Sequence, residues 1–280
     1  MAEIQRPHSL HSLGPVHPPK VEKRAIKPSI ARHVTIRVQD PLDHDAPAIL
    51  HEPRSYNVTE SKGAAVVLVS GAGGGVSGPG GIYPSLADKL ALLLGIPCIR
   101  LDYRKPARTE YCSADIRASF TYLNEHFSSS AFVLVGWSFG GSPCFTVAAQ
   151  EPERVRGVAT VASQTAETSG IRKLSPRPVL LLHGTGDTVL SPTCSETLYR
   201  QYGKGPGELK LLPGDDHGLT KHATEVEKMI FEFAAKTLGF EKLLNEQTVD
   251  QAGEDLVESR DERIREMGEG HDLEGEKLKA

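Results

Sequence analysis

Two kinds of apolar pattern follow one another along the chain. Near the start, "HVTIRV" (33–38) alternates apolar and polar positions as a half-buried strand does, and "AILHE" (48–52) follows a Pro/Asp turn as a plausible partner. Beyond it the alternation gives way to continuous apolar runs. These are "AAVVLVS" (64–70), "IPCIRLDY" (96–103), "AFVLVG" (131–136), "RGVATVA" (156–162), "PVLLLHG" (178–184) and "ELKLLPG" (208–214). Helical stripes stand between them. Leu86, Leu90 and Leu93/Leu94 share one face, with Ser85 as a possible N-cap and Gly95 as a stop. Ile116, Phe120, Leu123 and Phe127 form a second stripe, and Met229, Phe231, Phe233 and Leu238 belong to a closing helix. Apolar strands alternating with helices predict an α/β fold. Its central sheet has about eight strands, mainly parallel, with helices on both faces and the first strands antiparallel.

The two ends break this pattern. Residues 1–31 are proline-rich, carry a charge of +3 and show no apolar period, which predicts a disordered N-terminal arm. Residues 241–280 carry −7 and place Leu243, Val257 and Ile264 too sparsely for a coiled coil, which predicts an acidic tail, disordered or loosely helical. The net charge of −4 leaves the body between them neutral, and gives no reason to expect nucleic acid or an anionic membrane as a partner. No run reaches the roughly 18 apolar residues of a membrane span, and the N-terminus lacks a signal-peptide core. Four scattered cysteines with no CxxC pair suit a reduced compartment, so a cytoplasmic location is expected. Nothing in the pattern calls for a metal or a cofactor, and nothing names a protein partner.

Ligands of parallel sheets bind outside the carboxyl ends of the strands. Those ends carry Gly71–Gly75, Asp102, Ser138, Ser163–Glu167, Asp187 and His217. Gly136-Trp137-Ser138-Phe139-Gly140 matches G-x-S-x-G, in which a sharp strand-to-helix turn lifts the serine hydroxyl above the sheet. Taken alone, the pentapeptide suits a tight structural turn as well as a nucleophile.

From these residues the chain resembles the α/β-hydrolase superfamily over roughly residues 32–240, and its lidless layout is most similar to the dienelactone-hydrolase-like branch. In that family the order is Ser, then Asp or Glu, then His. The resemblance implies Ser138 as nucleophile, Asp187 in "HGTGDTVLS" as the acid and His217 in "PGDDHGL" as the base. Glu167, past an earlier strand, is the runner-up acid. Asp215 and Asp216 adjoin the histidine too closely to orient its ring. Asp102 with Tyr103 and Arg104 is expected to hold a loop in place, and His183 to pack. The oxyanion hole is expected from the N–H of Phe139 and from Ala72, with Gly73 second. "SGAGGG" stands where the family has His-Gly-x, so Ser70 replaces a histidine. Residues 163–177 are barely longer than a loop, which predicts an open site without a lid.

The expected function is cleavage of ester-type acyl bonds in a small soluble substrate through a Ser-His-Asp triad and an acyl-enzyme. The competing reading is a catalytically inactive hydrolase fold serving as a binding or scaffold protein. A dinucleotide site is also spelled out by Gly73-x-Gly75-x-x-Gly78 with Asp102 downstream, but Pro79, Gly80, Gly81 and Pro84 delay the helix that such a motif should open.

Overall fold

Strand pairing and layering follow from the two patterns. A computed structural model describes residues 30–254, together with a two-residue antiparallel pairing of Ile4–Gln5 with Lys277–Leu278. The arm expected to be disordered and the distal acidic tail otherwise lie outside the described residues.

Eight strands form one sheet: β1 (Ile30–Val38), β2 (His44–Glu52), β3 (Ala64–Val69), β4 (Cys98–Leu101), β5 (Ala131–Trp137), β6 (Val155–Val161), β7 (Val179–Gly184) and β8 (Gly207–Leu212). Their spatial order is β1-β2-β4-β3-β5-β6-β7-β8. β2 runs antiparallel to both β1 and β4, and the remaining neighbours are parallel. β1 begins three residues earlier than the alternation suggests, because Ile30 to Arg32 pair with Leu50 to Glu52.

The continuous apolar runs of the inner strands are explained by burial on both faces, whereas β8, at the sheet edge, alternates half-buried and exposed positions. In β3, Ala64, Val66 and Leu68 join one core with Leu86 and Leu90 of α1 (Tyr83–Leu93) and with Val226, Ile230 and Phe231 of α5 (Ala223–Thr237). Ala65, Val67 and Val69 join the opposite core. That core includes Ile116 and Phe120 of α2 (Thr109–Phe127), Phe145 of α3 (Gly141–Gln150) and Leu198 of α4 (Thr193–Tyr202). A strand with no solvent face has no reason to alternate.

One expectation is corrected, and one segment is added to the folded unit. Ser85 does not cap α1, which starts at Tyr83 with Pro84 in its first turn, where a missing N–H does no harm. Ser85 lies buried and donates to Glu227 Oε1 at 2.5 Å. The acidic tail, in turn, begins as ordered structure. Residues 241–243 form a helical turn, and α6 (Glu246–Ala252) follows with Asn245 accepting from Thr248 N–H at 2.9 Å. Ala252 is fully buried. The cause is Lys89, a buried cation of α1. Its ammonium meets Glu227 Oε1 at 2.6 Å, Ala252 O at 3.0 Å and Glu254 O at 2.6 Å, one acceptor for each of its three protons. The folded unit therefore extends to residue 254.

Candidate active site

The carboxyl ends of β3, β5 and β7 and the loop after β8 meet above the sheet. β5 turns into α3 through a single helical turn, Ser138–Gly140, and Ser138 sits in the left-handed region at φ 54. That conformation costs a non-glycine residue on the order of 1–3 kcal/mol. The flanking glycines are there for steric reasons. A Cβ at Gly136 would stand 2.6 Å from Gly140 O, and one at Gly140 would stand 2.5 Å from Ser70 O. The pentapeptide thus packs against both its own turn and the end of β3, leaving Ser138 half-buried at the surface of the site.

Asp187 follows β7. Its Oδ1 accepts from the N–H groups of Val189 (2.7 Å) and Leu190 (2.9 Å), which folds the loop around the carboxylate. Its Oδ2 lies 2.7 Å from Nδ1 of His217. Burial pushes the Asp187 carboxyl up, but the bonds from His217, Leu190 and Val189 outweigh it and hold the group below the ordinary carboxylate range. An ionised carboxylate can only accept, so His217 Nδ1 carries the proton and Nε2 keeps its lone pair.

The histidine loop is fastened to the elbow. Trp137 Nε1 donates to His217 O at 3.1 Å, and the two rings stand 5.8 Å apart. Asp215, fully buried, shapes the loop from beneath by accepting from Lys221 N–H and His222 N–H at 3.1 Å each and from His222 Nδ1 at 2.8 Å. Asp216 accepts from Gly218 and Thr220 N–H at 3.0 Å each. Both acids serve the backbone, in keeping with their closeness to His217.

The glycine-rich loop after β3 forms the other side. A Cβ at Gly71 would lie 3.6 Å from Ser138 Cβ, so this loop abuts the serine. Gly74 N–H closes a turn onto Gly71 O at 3.1 Å, with Ala72 and Gly73 exposed at its tip. The base of the loop is clamped by buried side chains. Ser70 Oγ donates to Gly75 O, Asp102 Oδ1 accepts from Gly75 N–H at 2.9 Å, and Arg100 Nη1 donates to Val76 O at 3.1 Å. Phe139 stands across from it, its ring buried edge-on against Tyr103 at 6.1 Å. Its N–H opens a helical turn, where backbone N–H groups have no partner within the helix.

Glu167 is not part of this convergence. It is exposed, with φ 56, and its carbonyl accepts from Ser142 Oγ at 2.9 Å. Cys144, in α3 just after the elbow, is buried, which pushes its thiol well up. His183 was expected merely to pack. It is buried at the end of β7, with Nδ1 2.7 Å from Ser195 Oγ, Nε2 3.0 Å from Leu190 O and the same nitrogen 3.1 Å from Asp187 Oδ2. The signal in the sequence was its position four residues before Asp187.

A family model described as the alpha/beta hydrolase fold matches residues 64–204, half of the chain. The chain belongs to the alpha/beta hydrolase fold family. The match contains Ser138 and Asp187, while His217 lies past it and enters the site by geometry. Among solved structures, this alpha/beta hydrolase is similar to Est1E from Butyrivibrio proteoclasticus, at 17% identity and a TM-score of 0.62, covering 74% of this chain and 99% of that one. It is similar to the esterase domain of a Rhodothermus marinus protein at 19% identity and a TM-score of 0.61, covering 75% and 100%. It also resembles a dienelactone hydrolase from Anabaena variabilis at 16% identity and a TM-score of 0.61, covering 74% and 97%. At these identities the likeness is one of fold. No curated protein matches the alpha/beta hydrolase in sequence. Among its described residues, no helix is long and apolar enough to cross a membrane.

Proposed function

We propose that this chain is a serine hydrolase that cleaves ester-type acyl bonds of small soluble substrates. The observation that carries the reading is the 2.7 Å bond from His217 Nδ1 to Asp187, in a loop tied by Trp137 to a serine in left-handed backbone. A non-glycine residue held in this region costs free energy, and such strain gathers at functional sites.

In this reading Ser138 Oγ attacks the acyl carbonyl and His217 Nε2 takes its proton. Asp187 keeps the tautomer and stabilises the imidazolium. The oxyanion forms between Phe139 N–H and an N–H at the tip of the glycine loop, Ala72 first and Gly73 second. One such donor is worth about 10²–10³ in kcat. His217 then hands its proton to the leaving oxygen, which departs as an alcohol. Water, deprotonated by the same nitrogen, attacks the acyl-enzyme and releases the acid and the free serine.

The test is a fluorophosphonate probe on the purified protein. One phosphonylated serine is expected, at Ser138, with labelling abolished in Ser138→Ala. Absence of labelling at a folded wild-type protein would favour a binding protein on a hydrolase fold.

A further inference from the structure

The acid loop holds a second histidine, and its bonds determine which nitrogen carries the proton. His183 Nε2 faces Leu190 O at 3.0 Å and Asp187 Oδ2 at 3.1 Å. A carbonyl and a carboxylate can only accept, so Nε2 is the protonated nitrogen. The other nitrogen, Nδ1, lies 2.7 Å from Ser195 Oγ, at the start of α4. His183 and Ser195 are both fully buried, so neither water nor another rotamer competes for these bonds.

From this geometry, and resting on the reading of Ser138, Asp187 and His217 above, we propose that His183 is a positioning residue of the acid arm: its Nε2–H holds Leu190 O and flanks Asp187 Oδ2, so that this oxygen faces His217. Apart from His217 itself, the carboxylate is held among the described residues at Oδ1, by the N–H groups of Val189 and Leu190. Those two donors belong to the loop itself and move with it. His183 connects that loop to β7 and, through Ser195, to α4. Leu190 is gripped from both sides, its N–H by Asp187 and its carbonyl by His183. The loop can then neither lift nor rotate the carboxylate without breaking a buried bond.

The test separates the two nitrogens. Glutamine places its amide near the Nε2 position of histidine, and asparagine reaches only the Nδ1 position. His183→Asn keeps a partner for Ser195 but abandons Leu190 and Asp187, whereas His183→Gln retains the donor that matters. Thermal melting establishes that both variants are folded. With p-nitrophenyl acetate, His183→Asn should lower kcat about a hundredfold with KM little changed, the scale of an ångström-sized misplacement. His183→Gln should recover most of that loss. The acid limb of the kcat/KM profile reports the general base, so it should move to higher pH in His183→Asn and return in His183→Gln, since an Asp187 carboxylate deprived of a donor turns more of its charge on the imidazolium. The other titratable groups at Asp187 are His217 and the Cys194 thiol, and both stay in place in every variant.

A readout independent of turnover is the downfield proton resonance of the Asp187–His217 bond, which should be displaced in His183→Asn and retained in His183→Gln. A folded His183→Asn with wild-type resonance and an unmoved acid limb overturns the proposal, as does equal loss in both variants. If Ser138→Ala instead keeps full activity, the functional reading fails, and the ring-proton comparison alone decides the role of His183.

Discussion

Ser138 sits at φ 54, a strained conformation for any residue with a Cβ, and this separates what its hydroxyl is proposed to do from what its backbone costs. Ser138→Ala should lower turnover by up to about a million-fold. Stability should hardly change, because alanine inherits the same backbone. Ser138→Gly should be equally inactive yet more stable, by about 1 kcal/mol, since glycine adopts this region freely. In a domain of this size that is a rise of roughly 2–4 °C in Tm. A glycine variant that melts lower would show that the serine side chain, not the backbone, supports the turn. The acid is tested on the same footing. Asp187→Asn should lose about 10⁴ in kcat, because an amide next to Nδ1 favours the wrong tautomer. Glu167→Gln should be nearly silent, since that carboxylate is exposed and only its backbone carbonyl is engaged. Steady-state rates of the two variants side by side decide the matter, and a larger loss at Glu167 would reverse the assignment.

At the scale of elements, the loop after β3 has to be stiff at its base for its tip to offer an N–H at a fixed place. Ser70, standing where the family has a histidine, reaches Gly75 O, and Asp102 reaches Gly75 N–H from β4's end. Ser70→Ala should therefore lower kcat by about ten- to a hundredfold while KM and melting change little, a part of the 10²–10³ that a whole oxyanion donor is worth. Wild-type kcat in this variant would show that the loop is held without the hydroxyl. The same elements show what was legible in the sequence. Each proposed active-site residue follows an apolar run, so the strand ends could be read from pattern, while the order Ser138, Asp187, His217 came from the resemblance to the family. Asp102 was also legible as a loop holder, by its place after β4. Lys89 and His183 were not. Periodicity assigns a lysine to the outside of a helix, and nothing near Lys89 announces that Glu227, Ala252 and Glu254 surround it. A buried polar group is defined by partners distant in sequence, and the ordered segment 241–254 was not legible for that reason.

That buried cation matters for the whole molecule, because it joins α1, α5 and α6. Lys89→Met removes the cation facing Glu227 in a fully buried site, and breaking such a pair costs about 3–5 kcal/mol. Melting should fall accordingly, and proteolysis should begin near residue 254, where the carbonyls of Ala252 and Glu254 lose their donor. Adding Glu227→Leu should recover much of the loss, because the buried carboxyl that faced the lysine is then gone. If Lys89→Met melts like the wild type, the segment 241–254 is held by Ala252 and its apolar neighbours alone.

The mouth of the site is also a property of the whole fold. In this fold a lid is usually inserted between β6 and β7, and here that stretch is residues 163–177. It lies down rather than rising over the site. Ile171 and Leu174 are buried in the core with α3, and a Cβ at Gly170 would stand 2.3 Å from Phe145 O, so the segment is pressed onto the α3 backbone. A long acyl chain would find little apolar wall there to bury against, although each methylene that found one would gain about 0.8 kcal/mol. With p-nitrophenyl esters of increasing length, kcat/KM should therefore stop improving after the first few carbons, and the rate should pass smoothly through the concentration at which the substrate forms micelles. A steady rise to the longest chains, or a jump at the micelle threshold, would require an apolar cover that residues 163–177 do not provide.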